Sequence, residues 1–208
     1  MTGLRLVTFN VHHGVGVDGR HDLDRLTRLL AATDADLVCL QEVDRHFGAR
    51  SEHADQALAL SRALDRELAF AASLDEPDDG GALAVTTTHL ANRSRTERAA
   101  QAAVLAELAG ADGVVVGDLN ADARAPELAP LRARLTDAWT AAGDRGDQSR
   151  RFSLHRGQGC THPVRRPRVR IDQVWVPPGV TVTAARVLDG SAVSDHHPLQ
   201  VDLSVTPR

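Results

Sequence analysis

Short apolar runs that end on polar residues alternate along this chain with longer segments whose apolar positions recur at helical spacing. Leu4 to Phe9 is the first run and predicts a strand, followed by the polar turn Asn10-Val11-His12-His13-Gly14. Short apolar runs bounded by turn residues read as buried strands. Asp22 is placed to cap a helix that carries Leu23, Leu26, Leu29 and Leu30 as a stripe. Asp36 to Leu40 predicts a second strand ending at Gln41-Glu42-Val43-Asp44, and Ser51 to Leu68 a longer helix with Ala57, Leu60, Leu64 and Leu68 along one face. Ala82 to Thr88 predicts a strand ending at His89. Ser94 with Glu97 three residues on forms a capping box, and Gly110 is a stop for the Ala-rich helix between them. Gly113 to Val116 predicts the next strand, ending at Asp118, and a short helix is expected near Pro126 to Leu135. From Gly143 the chain reads as loop-rich and basic until strands at Val169 to Val176, Val180 to Leu188 and Leu199 to Val205. Strand-helix units followed by a strand-rich half favour sheets covered by helices over an all-α or all-β fold.

The polar residues are not scattered. Five predicted strand ends carry them: Asn10, Glu42, His89, Asp118 with Asn120, and Asp195 with His196. Ends of rigid strands are where a scaffold can hold chemistry at the rim of a sheet. Asp172 is a sixth candidate, inside Val169-Arg170-Ile171-Asp172-Gln173-Val174-Trp175, where it shares a face with Arg170 and Val174. A carboxylate buried there needs a partner. The simplest is a histidine whose ring it orients. Taken singly, each cluster also fits an ordinary role, such as a turn at Asn10 to Gly14 or at Asp118 to Asn120. Only their joint occurrence favours chemistry.

Composition narrows the options. At 208 residues the chain suits one domain spanning 1–208. All 24 basic residues are Arg, so lysine chemistry is excluded, and the absence of Tyr removes phenol-based mechanisms. Cys39 and Cys160 make no disulfide framework. No N-terminal apolar segment is long enough for a signal peptide or a membrane span, which makes the cytoplasm the default location. Net charge is −4 and aromatics are 3%, so polymeric nucleic acid is possible but not favoured as a partner. The one dense basic run, Arg165, Arg166, Arg168 and Arg170, reads equally as a phosphate grip or a solvated loop. Ten histidines leave open a zinc site centred on His12, His13, His196 and His197. Oligomeric state is not set by the sequence.

The stretches Thr8 to Gly14, Gln41 to Asp44, Thr88 to Leu90, Gly117 to Asn120, Arg170 to Asp172 and Ser194 to Pro198 together resemble, in order, the endonuclease/exonuclease/phosphatase superfamily of divalent-metal phosphoesterases. The resemblance implies an α/β (α+β) fold of two packed β-sheets flanked by helices, a four-layer α/β/β/α sandwich in a shortened variant. It implies Mg²⁺ or Mn²⁺ held mainly by Glu42, with Asn10 beside it and Asp195 supporting the metal side. His196 would be the general base, or the matching acid, oriented by Asp172. Asp118 would hold the attacking water or a second metal, Asn120 and His89 would donate to phosphate oxygens, and Arg170 would grip the substrate. The implied reaction is in-line attack of water on a phosphodiester or phosphomonoester, the substrate small or lipid-like rather than polymeric DNA. A second reading keeps the scaffold as a phosphate-ligand-binding module with reduced or lost catalysis. His12 stands where abasic-site endonucleases carry an acidic residue, which disfavours that subgroup. Only 47 positions separate Glu42 from His89, so a hairpin of the family pattern, with its Ser-Arg motif, is expected to be missing and a sheet edge left exposed.

Overall fold

The computed structural model describes residues 2–70, 83–147 and 159–205. Two mixed sheets form its centre. In the first, β1 (Thr2–Asn10) lies between β2 (Leu37–Gln41), parallel to it, and the antiparallel β9 (Leu199–Val205). β8 (Val180–Val187) and β6 (Asp144–Asp147) complete the order β2-β1-β9-β8-β6. The second sheet has the order β3-β4-β7-β5, built from β3 (Val85–His89), β4 (Val114–Asp118), β5 (Thr136–Asp137) and β7 (Asp172–Val176). β3 and β4 run parallel, while β7 is antiparallel to β4.

The strand alternation seen in the sequence sorts side chains into three apolar layers. Leu6, Val114, Val116, Val174, Val176, Leu199 and Val201 fill the space between the sheets. Val115 and Trp175, one residue out of phase, point the other way against α3 (Arg95–Leu108) and α4 (Ala129–Arg134), where Leu105, Leu128 and Leu131 meet them. Phe9 faces outward from the first sheet onto α1 (Leu23–Ala31) and α2 (Gln56–Leu64), among Leu26, Leu30 and Leu60. The result is the four-layer α/β/β/α sandwich that the resemblance implies.

Helix starts follow local capping. Asp22 accepts from the Arg25 amide, Asp55 from Leu58 and Ser94 from Glu97. The second helix is shorter than the expected Ser51 to Leu68, because Asp55 is the capping residue and Asp65 ends the helix in the left-handed region at φ 52°. Ser51 instead closes a single 3₁₀ turn, Ala49–Ser51. The segment expected as one helix from Pro126 to Leu135 is a 3₁₀ turn, Pro126–Leu128, running into α4. The stretch expected to be loop beyond Gly143 contains β6, and ahead of it stand β5 and the one-turn α5 (Ala138–Ala141). The Gly-rich connection around Asp75 to Gly81, and the start of the strand expected from Ala82, lie outside the described residues. Among the described residues β2 and β3 are each an edge strand, and the two edges lie in contact.

Candidate active site

Topology gathers the polar strand ends at one rim. β1 with β2, and β3 with β4, run parallel, so Asn10, Gln41, His89 and Asp118 are the last residues of their strands. β7 runs the other way, so its first residue, Asp172, sits directly opposite Asp118 in register. The Ser194-Asp195-His196 turn precedes β9 and is pinned to β1 by the Ser194 hydroxyl, which donates to the Asn10 carbonyl at 2.7 Å and accepts from the His196 amide at 3.1 Å. β3 and β4 can approach this closely at the rim only because residue 117 is glycine. It sits at φ 137°, and any side chain there would collide with the Thr88 carbonyl.

Asp118 is the hub. One carboxylate oxygen lies 3.2 Å from Asn10 Nδ2, 3.5 Å from His89 Nε2 and 3.8 Å from His196 Nε2, while the other accepts from the Asn120 amide at 2.9 Å. Asn10 donates through the same Nδ2 to Glu42 at 2.9 Å, and its Oδ1 accepts from the His12 amide. Asn120 donates to the Leu90 carbonyl, which fixes its side chain at the cavity wall. His196 and Asp172 meet at 2.9 Å between Nδ1 and Oδ2, which leaves Nε2 directed to the Asp118 side. The other Asp172 oxygen is buried without a hydrogen-bond partner among the described residues.

The charges follow from this crowding. Burial and the neighbouring Asp172 raise the Asp118 pKa above the usual carboxylate value. Burial works to lower the pKa of His196, but Asp172, Asp118 and Asp195 outweigh it and hold the imidazole at about 9, so the ring is cationic at neutral pH. His13 and His162 are held below the ordinary histidine value, in both cases first by burial and next by a neighbouring imidazole, His12 and His196 respectively.

His89, Asp118, Asn120 and His196 line a cavity of about 370 Å³ together with Glu42, Asp195, His12, His13, Arg50 and His162, while Asn10 and Asp172 hold these groups from behind. Glu42 takes a left-handed backbone at φ 57° and keeps its side chain partly exposed, with the second oxygen 3.9 Å from His13 Nδ1. The donor set suits a hard divalent cation. Glu42, Asp118 and Asp195 bring carboxylate oxygens to the wall beside five imidazoles, and the clustered acids that push up the Asp118 pKa would be relieved by positive charge. Among the described residues, two groups of three keep candidate ligand atoms within 4.8 Å of one another: Asp118, Asp172 and His196, and His162, Asp195 and His196.

Of the residues singled out in the sequence, Asn10, Glu42, His89, Asp118, Asn120, Asp172, Asp195 and His196 are brought together. Arg170 is not. Its guanidinium is buried in a two-bond fork to Asp137 at 2.7 and 2.8 Å, and none of the four arginines of that basic run lines the cavity. Of the zinc constellation, His12, His13 and His196 line the cavity, but His197 does not. His197 is buried, accepting from the Gly190 amide through Nδ1 and lying against the Val164 carbonyl through Nε2. Three cavity residues had no signal in the sequence: Arg50, on the 3₁₀ turn Ala49–Ser51, and Asn92 and His162, outside the named helices and strands.

The family model for the Endonuclease/Exonuclease/phosphatase family matches residues 7–196. No curated protein matches the sequence. Among solved structures, the chain is similar to an endonuclease/exonuclease/phosphatase from Bacteroides vulgatus, at 19% identity and a TM-score of 0.70, covering 99% of this chain and 100% of that one. One from Beutenbergia cavernae is 21% identical with a TM-score of 0.71, covering 99% of this chain and 72% of that one. A mannosyl-6-phosphatase from Bacteroides thetaiotaomicron is 15% identical with a TM-score of 0.66, covering 97% and 99%.

Proposed function

The chain belongs to the endonuclease/exonuclease/phosphatase family, and on that premise we propose that it is a Mg²⁺- or Mn²⁺-dependent hydrolase of a small phosphate ester. The observation that carries the reading is the Asp172–His196–Asp118 line at 2.9 and 3.8 Å, beside a partly exposed Glu42 in the same cavity. Glu42 would hold the cation, with Asp195 on the same cavity wall and Asn10 beside Glu42 as its hydrogen-bond donor. When bound there, the cation would neutralise a nonbridging and the leaving oxygen, worth several kcal/mol in the transition state.

The protein side chains divide the remaining work. Asp118, whose raised pKa makes it the better proton acceptor, holds the water and takes its proton as the new P–O bond forms and the P–O bond to the leaving oxygen breaks, the departing alcoholate taking its proton from solvent water. His196 enters the reaction cationic, fixed by Asp172, and donates through Nε2 to a nonbridging oxygen on which charge accumulates. This favours the donor role over the base role for His196. His89 and Asn120 flank Asp118 and orient the phosphate from the same side. Positioning and charge neutralisation are what phosphoryl transfer chiefly requires. A mannosyl-6-phosphatase from Bacteroides thetaiotaomicron with a similar fold supports a phosphate-ester reading.

The test is hydrolysis of p-nitrophenyl phosphate and bis-p-nitrophenyl phosphate with Mg²⁺ or Mn²⁺ and with EDTA. Turnover that EDTA abolishes and either cation restores is expected. No turnover of any phosphate ester across a broad panel with both metals would favour the binding-module reading instead.

A further inference from the structure

Among the described residues the cavity is lined by one arginine, and it is not in the basic run of the sequence. Arg50 reaches the wall from the 3₁₀ turn before α2, beside His12, His13 and Glu42. Its Nε and Nη2 form a fork to the two oxygens of Asp44 at 2.8 and 2.7 Å. Asp44 itself is only 4% exposed, and its backbone amide is held by the fully buried Gln56. The Phe47 ring covers the guanidinium at 4.5 Å. Arg50 is therefore clamped at its edge and on one face, whereas Nη1 has no partner among the described residues and the side chain is 45% exposed. A guanidinium oriented this firmly with an unused donor edge is built to meet an oxyanion, because little conformational freedom is left to lose on binding.

We propose that Arg50 binds the third nonbridging oxygen of the substrate and thereby selects a terminal phosphoryl group, a phosphomonoester, over a diester. The inference rests on the hydrolase reading above and adds the substrate class. In-line displacement leaves three equatorial oxygens around phosphorus. The cavity offers three separate positive or donor groups for them: the cation side at Glu42, the imidazoles of His89 and His196 that flank Asp118, and Arg50 on the rim. A monoester fills all three. In a diester one equatorial oxygen carries a second carbon substituent, which would set an uncharged group against the free donor edge of the guanidinium.

The experiment compares p-nitrophenyl phosphate with bis-p-nitrophenyl phosphate in wild type, Arg50→Lys and Arg50→Gln, with inorganic phosphate binding measured by calorimetry in the presence of Mn²⁺. Because Arg50→Gln leaves the buried Asp44 unpaired, the double variant Asp44→Asn/Arg50→Gln, which removes both charges, serves as the folding control. A charged hydrogen bond contributes about 1.5–3 kcal/mol, so kcat/KM for the monoester should fall about 10- to 100-fold, mainly through KM, while the diester changes by less than about threefold. Phosphate binding should weaken in parallel, and Arg50→Lys should recover only part of the loss. Equal losses on both esters, or none on either, in well-folded variants would overturn the proposal while leaving the hydrolase reading intact. Absent turnover with phosphate binding that still depends on Arg50 would retain the phosphoryl site and sink the hydrolase reading. Absent turnover and absent phosphate binding would overturn both.

Discussion

The floor and the rim of the cavity are built differently. On the floor and directly behind it, His89 and Asp118, with Asn10 and Asp172, each begin or end a regular strand, and their positions are fixed by sheet register. On the rim, His12, His13 and Arg50 stand on tight turns with left-handed residues, at φ 46° for His12, 45° for His13 and 54° for Glu52 just after the 3₁₀ turn. Those turns are tied together by one side chain. Gln56 Nε2 donates to the His13 carbonyl at 2.8 Å while its Oε1 accepts from the Asp44 amide at 2.9 Å. Sheet register is shared among many hydrogen bonds, whereas the rim depends on few. Chemistry placed on the first is robust, and recognition placed on the second is free to vary.

That contrast can be broken from either side. The largest effect is expected on the floor: Asp172→Asn should lower kcat by about 10²- to 10⁴-fold while the fold persists, because a positioned proton-transfer or donor group contributes on that scale. The same variant should bring the His196 pKa down from about 9, as read by imidazole titration in NMR. An unchanged His196 titration would mean that Asp172 does not orient the ring. On the rim, Gln56→Leu should destabilise the protein by about 1–3 kcal/mol in urea melts, since it strips partners from the buried Asp44 amide and the part-buried His13 carbonyl. It should raise KM more than it lowers kcat. An equal fall in kcat would show that floor and rim are one unit.

A smaller effect concerns pH. The folded pKa of His196 lies above its unfolded value of 6.5, so its contribution is fully present below about pH 6.5 and is lost as pH rises through about 9. In metal-free protein, the stability gap between wild type and Asp172→Asn should narrow over that window, by about 3 kcal/mol at most. A gap that does not change between pH 6 and 10 would contradict the coupling. Smallest is a control remote from both regions: Ser94→Ala removes only the cap of α3 and should cost about 0.5–2 kcal/mol with no change in kcat or KM.

The floor was legible in the sequence because it obeys periodicity. Val114-Val115-Val116 leading into Gly117-Asp118 announces both a strand and its polar end, and Asp172 among Ile171, Val174 and Trp175 announces a buried partner. The rim was not legible. Counting Ser51 into a helix hid the turn that carries Arg50, since leucine spacing fixes the middle of α2 but Asp55 decides where it starts. Arg170 was drawn to substrate by the density of arginines around it. Its true partner, Asp137, lies in the two-residue strand β5, too short to leave a pattern. His162, brought against His196 with ring centroids 4.5 Å apart, follows from tertiary packing alone and has no local signature.

Hydrolysis of p-nitrophenyl phosphate in saturating Mn²⁺ by wild type, Asp118→Ala and His196→Ala, each with near-UV circular dichroism to confirm packing, is the most direct test. Metal-dependent turnover in wild type and a loss of at least about 10²-fold in each variant are expected. Wild-type rates retained in either packed variant would contradict the assignment of the reaction to the Asp172–His196–Asp118 line.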